Sequence, residues 1–346
     1  MKKIFENPTW TKLKWPVAAL GLVLLFNFIF TSGFFQLEIK NGRVYGSLVD
    51  IFNRATPVML LSLGMTLVIA TAGVDLSVGA VMAIAGSIAA SLLTNPFRIL
   101  PAFIASPLEA SQSVPAVIAI ALAASLLLGL WNGFLVGFFK VPPIVATLIL
   151  MVSGRGIAQL LTNGQIITFE NKSFEFLARG VWFRLPITIS ITAIVFLLLL
   201  FFTKKTAAGL FIESTGDNET ACRYAGVNTQ MVKLIAYAVC SLLAGLAGLI
   251  VTADIKAADA NNAGLYLELD AILATVIGGT ALTGGRFFLA GSLIGAILIQ
   301  TLTTTILTRG VAVEWTLVVK AVVIIIVCLL QSESFRKIIW RRQIAA

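Results

Sequence analysis

Apolar residues in this chain gather into runs of about twenty, separated by short polar stretches, without the strict alternation of a half-buried strand. A helix of that length crosses roughly 30 Å of hydrocarbon. Ten such spans are predicted, approximately Val17–Phe35, Leu48–Ala72, Val78–Leu93, Val114–Phe139, Ile144–Leu161, Pro186–Phe202, Leu234–Ala253, Leu269–Leu282, Phe287–Leu307 and Val311–Leu330. No polar stretch is long enough for a soluble module, so residues 1–346 read as one all-α, polytopic membrane domain of about ten helices. Two places interrupt the pattern: Gly73, Asp75, Ser77 and Gly79 between the second and third spans, and Gly278-Gly279 through Gly284-Gly285 at the end of the short eighth span. Backbone irregularity at membrane depth is tolerated only where protein or water satisfies the freed polar groups. Paired glycine-rich breaks in the two halves suggest a distant internal repeat.

Composition supports the class, with 58% hydrophobic residues, 12% charged and a mean hydropathy of +0.98. The first span follows Lys2, Lys3, Lys12 and Lys14 as a secretory signal would, but its run is long and no A-x-A-like site follows, so it is read as an anchor. Ten spans with the N-terminus inside leave both termini cytoplasmic and place 14 basic residues inside against 8 outside, the bias that orients membrane proteins. The net charge of +9 is thus explained by short segments facing anionic lipid, and no nucleic-acid partner is expected. The location expected is a bacterial inner membrane.

The chain has no histidine, which removes the commonest general base and zinc ligand together. Cys222 lies in a polar segment while Cys240 and Cys328 lie in spans, so a disulfide framework is not expected. No phosphate-cradling G-x-x-x-x-G-K-[ST] occurs, and no catalytic residue, metal site or cofactor is expected. Carboxylates within the spans are too scarce for an ion-driven carrier, which leaves a stand-alone secondary carrier as the weaker alternative. Energy must then come from another subunit.

The most polar segment, about residues 204–233, lies between the sixth and seventh spans. Gly209 and Gly216 are expected to break the chain there, Asp217 or Asn218 to cap a short helix and Gly226 to end it. Thr206-Ala-Ala-Gly209, Gly216, Asn218, Ala221 and Ala225-Gly-Val-Asn228 resemble the ATPase-contacting segment of permease subunits from bacterial ABC sugar importers of the ribose and galactose type. The likeness runs along most of the chain, through Gly64-Met-Thr-Leu-Val-Ile-Ala-Thr-Ala-Gly-Val-Asp-Leu-Ser-Val-Gly79, Gly129-Leu-Trp-Asn-Gly133, Pro142-Pro-Ile-Val-Ala-Thr147, Gly154-Arg-Gly156 and Ile277-Gly-Gly-Thr-Ala-Leu-Thr-Gly-Gly-Arg286. It departs at Ala72, where the family usually has glycine. Asp50–Pro57, Val81–Gly86 and Ala253–Gly264 resemble the family's galactofuranose-type branch, which points to a furanose or a related pentose.

The resemblance implies a cytoplasmic ATPase holding ATP and Mg, an extracytoplasmic sugar-binding protein and a second permease chain, the same or different. It places Gly209, Glu213, Gly216, Asp217, Asn218, Ala221, Arg223 and Gly226 at the ATPase contact. Gly73, Asp75, Ser77, Gly79, Asn132, Thr147, Arg155, Gly278 and Gly279 are expected along the translocation path or at its structural breaks. Asp75 suits a helix cap better than a sugar contact, Asn132 suits an interhelical bond or a pore equally, and Arg155 needs a partner its sequence does not name. Before the eighth span, Asn261, Asn262, Glu268 and Asp270 offer hydrogen bonds to a binding protein or a sugar, while an ordinary solvated loop would have the same composition.

Overall fold

The computed structural model describes residues 8–31, 33–40, 43–95, 113–311 and 313–331. Its helices are α1 (Pro8–Phe30), α2 (Ser47–Ala70), α3 (Val78–Thr94), α4 (Val114–Gly137), α5 (Pro143–Thr162), α6 (Lys172–Arg179), α7 (Ile187–Lys205), α8 (Ala207–Asp217), α9 (Glu219–Tyr224), α10 (Thr229–Ile255), α11 (Leu267–Ile277), α12 (Leu289–Thr308) and α13 (Val313–Gln331). Each of the ten expected runs lies on one of these. The first moved most, since α1 begins at Pro8 and stops at Phe30. Among the described residues, seven helices, α1, α2, α4, α5, α7, α10 and α12, are long and apolar enough to cross a membrane. α3 and α11 are shorter, at 17 and 11 residues. Lys2, Lys3, Arg98 and the basic residues after Gln331 lie outside the described residues, and so does much of the charge count.

α2 is the axis of the bundle. Of its most apolar window 78% is buried, against 11% for α1 and α7, which therefore form the perimeter. α10 packs along α4, α2 and α3, while α12 packs against α2, α11 and α1. Hydrocarbon does not drive apolar helices together, so close contact relies on small residues and buried hydrogen bonds. On α4, Gly129, Gly133 and Gly137 form a ridge at four-residue spacing. A Cβ on each would meet α10 backbone, at Tyr237 O (2.7 Å), Leu234 Cα (2.7 Å) and Gln230 O (2.9 Å) respectively. Asn27 Nδ2 donates to Thr305 Oγ1 at 2.7 Å to join α1 to α12, and the Thr66 and Ser292 hydroxyls join α2 to α12 at 2.7 Å.

The ends of the bundle differ. α8 and α9, the polar island, close one end, between the last turn of α7 and the first of α10. The far end carries the hairpin of β1 (Glu38–Lys40) and β2 (Arg43–Tyr45), α6, the β4 (Val181–Trp182) and β5 (Leu185–Pro186) ribbon, and the pair β3 (Ile167–Thr168) with β6 (Ala257–Ala258).

Candidate functional site

Two spans are broken, and their broken ends meet inside the bundle. After α2 the chain turns at Thr71 and Ala72, then runs through Gly73–Ser77 without helix before α3 starts. Tyr237 Oη donates to the Val74 carbonyl at 3.2 Å, and Gly248 lies against Met82. Those two α10 positions are about 16 Å apart along the helix, so the break climbs to near mid-bundle before helix resumes. Ala72 has φ 59°, a left-handed conformation that glycine adopts at no cost. The alanine keeps the glycine-like turn.

Asp75 organises this first break. Its Oδ1 accepts from Ser77 N (3.0 Å) and Ser77 Oγ (2.6 Å), and Asn132 Nδ2 from α4 donates to the same Ser77 Oγ at 2.9 Å. All three side chains are fully buried, and the Cys240 thiol lies against the carboxylate. The Asp75 bonds close a turn on Ser77, the residue ahead of α3, rather than reaching the helix's own first N–H groups. Asn132 is interhelical glue. Thr147, also buried, bonds back to Pro143 O on its own helix and presents no hydroxyl to a pore.

The second break is formed by residues 256–266, which return from the far end of α10 into the bundle before α11 begins. The two breaks touch: a Cβ on Gly79 would overlap Gly264 O, and one on Gly264 would lie 2.5 Å from Gly79 O. From this meeting point α3 runs to the far end, where Ser91 Oγ bonds Leu161 O, and α11 runs to the island end. Such opposed half-helices leave backbone groups at membrane depth that must find partners. Arg155 supplies two, donating through Nη1 to Ala260 O (3.1 Å) and Ala263 O (2.6 Å). One turn further along α5, Gln159 Nε2 donates to Asn261 Oδ1 at 2.7 Å.

The four residues expected at the outer surface separate. Asn261 and Asn262 are exposed and are ordered by Asp259, whose Oδ1 accepts from both backbone N–H groups at 2.9 and 3.1 Å. These bonds outweigh a partial burial that would raise the Asp259 pKa and hold it below the usual carboxylate value. Glu268, only 4% exposed, lies beside Gly79 with its Oε2 unbonded. Asp270 is taken by Lys320 of α13 in a 2.9 Å ion pair. Both carboxylates fall on α11, which turns them into protein instead of outward.

The island corrects the expectation for Gly209 and Gly216. Neither breaks the chain; both lie within α8, where they permit backbone contact. A Cβ on Gly209 would overlap Thr203 O, and one on Gly216 would overlap Ala70 O and sit 2.5 Å from Gly285 N. Asn218 both ends α8 and caps α9, its Oδ1 accepting from Ala221 N at 2.9 Å, whereas Asp217 is exposed and caps neither. Gly226, at φ 84°, ends α9 in a Schellman pattern: Gly226 N bonds Arg223 O and Val227 N bonds Cys222 O, each at 3.0 Å. Glu219 pairs with Arg223 and, at 2.5 Å, with Lys233, tying α9 to the first turn of α10. Glu213 is half-buried in α8.

Gly216 therefore touches the end of α2, where the first break begins, and the turn after α11 at once. Gly285 N donates to Ala70 O at 2.9 Å, and Gly284 lies against Ala72 and Gly216 O. The end of α2, the turn after α11 and the last turn of α8 form one backbone cluster. Gly278 and Gly279 end α11, and Gly278 sits directly against Gly291 of α12. Sequence reasoning missed Tyr237, Cys240, Gln159, Asp259 and Lys320 as partners. Tyr237 and Lys320 carry a signal, each a polar group inside an apolar run. It also passed over Leu210 and Tyr224, 65% and 90% exposed on the island, and the cleft of about 450 Å³ that Lys140, Glu219, Arg223 and Lys233 help to line.

Comparison with known proteins assigns this architecture to a lineage. The chain is 48% identical to the galactofuranose transporter permease protein YtfT of Escherichia coli strain K12, over 95% of this chain and 93% of that protein. It is 36% identical to the fructose import permease protein FruF of Bifidobacterium longum, over 98% and 91%, and 35% identical to the ribose import permease protein RbsC of Escherichia coli strain K12, over 83% and 86%. No solved structure matches the chain. Residues 47–328, from the first turn of α2 into α13, match the family described as branched-chain amino acid transport system, permease component, and the chain belongs to that permease family.

Proposed function

We propose that this chain is a membrane-spanning permease subunit of an ATP-driven sugar importer, carrying galactofuranose or a related furanose or pentose. The family description names branched-chain amino acids, but the relatives aligned over most of their length are sugar permeases. ATP and Mg are bound by a separate cytoplasmic ATPase, sugar is delivered by an extracytoplasmic binding protein, and a second permease chain completes the pathway. Both termini then lie in the cytoplasm of a bacterial inner membrane.

The observation that supports the mechanism is the backbone cluster at Gly216, where the island meets the end of α2 and the turn after α11. An ATPase that moves α8 and α9 moves Ala70–Gly73 and Gly278–Gly285 with them, and through those segments α3 and α11. The island has no give at this point, because Gly216 leaves no side chain between the backbones. Differential binding of the two nucleotide states by the island then biases the breaks between two arrangements. The exposed Leu210 and Tyr224 are the apolar anchors on the ATPase side.

The test is uptake into proteoliposomes holding this chain, its partner permease and the ATPase, with galactofuranose and ribose offered with and without the binding protein. Uptake of one sugar that needs both the binding protein and ATP on the island face is the expected result. Uptake by this chain alone under an ion gradient would overturn the proposal in favour of a secondary carrier.

A further inference from the structure

Where the half-helices α3 and α11 meet, a buried carboxylate has an oxygen without a hydrogen-bond partner. Glu268 is 4% exposed, its Oε2 accepts no hydrogen bond, and it points at the small space over Gly79. A bare acceptor at membrane depth is costly and marks a functional position unless something fills its bonding capacity. Arg155 reaches the same meeting point from α5, where its Nη1 hydrogen bonds go to the carbonyls of Ala260 and Ala263, the latter next to the Gly264 that lies against Gly79. A carboxylate and a guanidinium brought to one meeting point, one accepting and one donating, suit two adjacent hydroxyls of a polyol.

We propose that Glu268 and Arg155 form a transient subsite for the adjacent hydroxyls of the transported sugar. It opens when residues 259–266, beyond the β3–β6 pair that anchors their start, swing away from α5. The inference rests on the sugar-import reading above. In the arrangement seen, the segment is held shut by Arg155 and by the Gln159–Asn261 bond. When it moves, the two Arg155 donors lose the Ala260 and Ala263 carbonyls and become free for the sugar, while Glu268 Oε2 gains the acceptor role it lacks a partner for. Gly79 and Gly264 leave this point free of side chains, so that a ring can pass between the two backbones. The site holds substrate only while open, as a pathway that must release its cargo requires.

Two experiments test this in the complete transporter in proteoliposomes. The first compares uptake of the transported sugar with that of analogues lacking one hydroxyl. Wild type is expected to lose roughly tenfold or more in uptake efficiency for at least one deoxy analogue, a loss of the kind a missing hydrogen bond to a buried polar partner gives. Glu268→Ala is expected to erase that discrimination, and Glu268→Gln, which still accepts a hydrogen bond, to keep most of it. Discrimination unchanged in Glu268→Ala overturns the subsite, since a purely structural role would lower uptake of all analogues alike.

The second replaces Gln159 and Asn261 together by cysteine, with the native cysteines as background control. Oxidation is expected to stop uptake and reduction to restore it; full uptake by the cross-linked protein overturns the opening step. This arm also serves if Glu268→Ala fails to insert. Wild type that transports no sugar under any condition refutes the sugar-import reading itself, whereas sugar uptake insensitive to both changes refutes only the subsite.

Discussion

The two breaks have similar form and opposite settings. At the first, Asp75, Ser77 and Asn132 are fully buried and bonded to one another, with Tyr237 holding the Val74 carbonyl. At the second, Asp259, Asn261 and Asn262 do the same kind of local work at the surface, and the segment is fixed to the rest of the protein by the side chains of Arg155 and Gln159. Asp75 Oδ2 and Asn132 Oδ1 are already without partners at the first break, so each further bond broken in that buried network strands another polar group in a low dielectric. An exposed one exchanges its bonds with water at little cost. The first break is therefore the frame and the second the moving part, and segments that open are drawn from the less stable regions of a protein.

The largest expected effect comes from forcing the two breaks apart. Gly79→Leu puts a branched side chain where Gly264 O and Glu268 Oε2 already sit. The overlap is with backbone, which cannot swing aside, so a loss beyond about 4 kcal/mol and failure to give a monodisperse protein in detergent are expected. Normal yield and thermal stability would show that the half-helices do not meet as described.

Next comes the direct comparison of the two aspartates. Asp75→Ala removes the acceptor of two buried Ser77 donors and is expected to destabilise by about 2–3 kcal/mol. Asp259→Ala, at the surface, is expected to cost under about 1 kcal/mol by the same thermal measurement. Equal losses would erase the distinction between frame and moving part.

The contrast also explains what was legible in the sequence. Hydropathy placed all ten runs on helices, because lipid demands long apolar segments whatever the tertiary contacts. The glycine cluster at 73–79 located the first break, whereas the cluster at 278–285 marks the turn after α11, and the second break at 256–266 read as a loop ahead of the eighth span. The partners of both breaks were hidden, since Arg155 reaches carbonyls about a hundred residues away and main-chain acceptors leave no mark on composition. Glu268 and Asp270 looked like surface carboxylates because the charged stretch Asp254–Asp270 reads as one loop, yet α11 begins at Leu267 and takes both inward. Gly209 and Gly216 read as breakers because glycine is a poor helix former. At a backbone-to-backbone crossing the missing Cβ outweighs that propensity.

That crossing makes the third prediction. Gly216→Val should leave insertion intact, since α8 is not one of the membrane-crossing helices, but push the island off Ala70 and Gly285. Sugar-stimulated ATP hydrolysis is expected to fall roughly tenfold, which corresponds to about 1.4 kcal/mol of lost coupling, while the ATPase's basal rate stays the same. Unchanged stimulation in assembled complexes would mean that the signal enters elsewhere.

The smallest effect concerns how firmly the island is attached. Burial alone would raise the Glu219 pKa, but its hydrogen bond to Lys233 and the charges of Lys233 and Arg223 outweigh that and hold it below the ordinary glutamate value. The carboxylate is half-exposed, so each pair contributes under about 1 kcal/mol. Because the attached island binds this proton more weakly than a detached one, the stabilisation is complete above the ordinary glutamate pKa of about 4.3 and is lost as pH falls through that value and below. Hydrogen exchange of the α9 amides should therefore be faster at pH 4 than at pH 6 after correction for intrinsic rates, with α3 amides little changed. Glu219→Gln should show the faster exchange at both values. An α9 protection that ignores pH in the wild type would detach Glu219 from the role of tying α9 to α10, and leave the Gly216 crossing as the principal hold on the island.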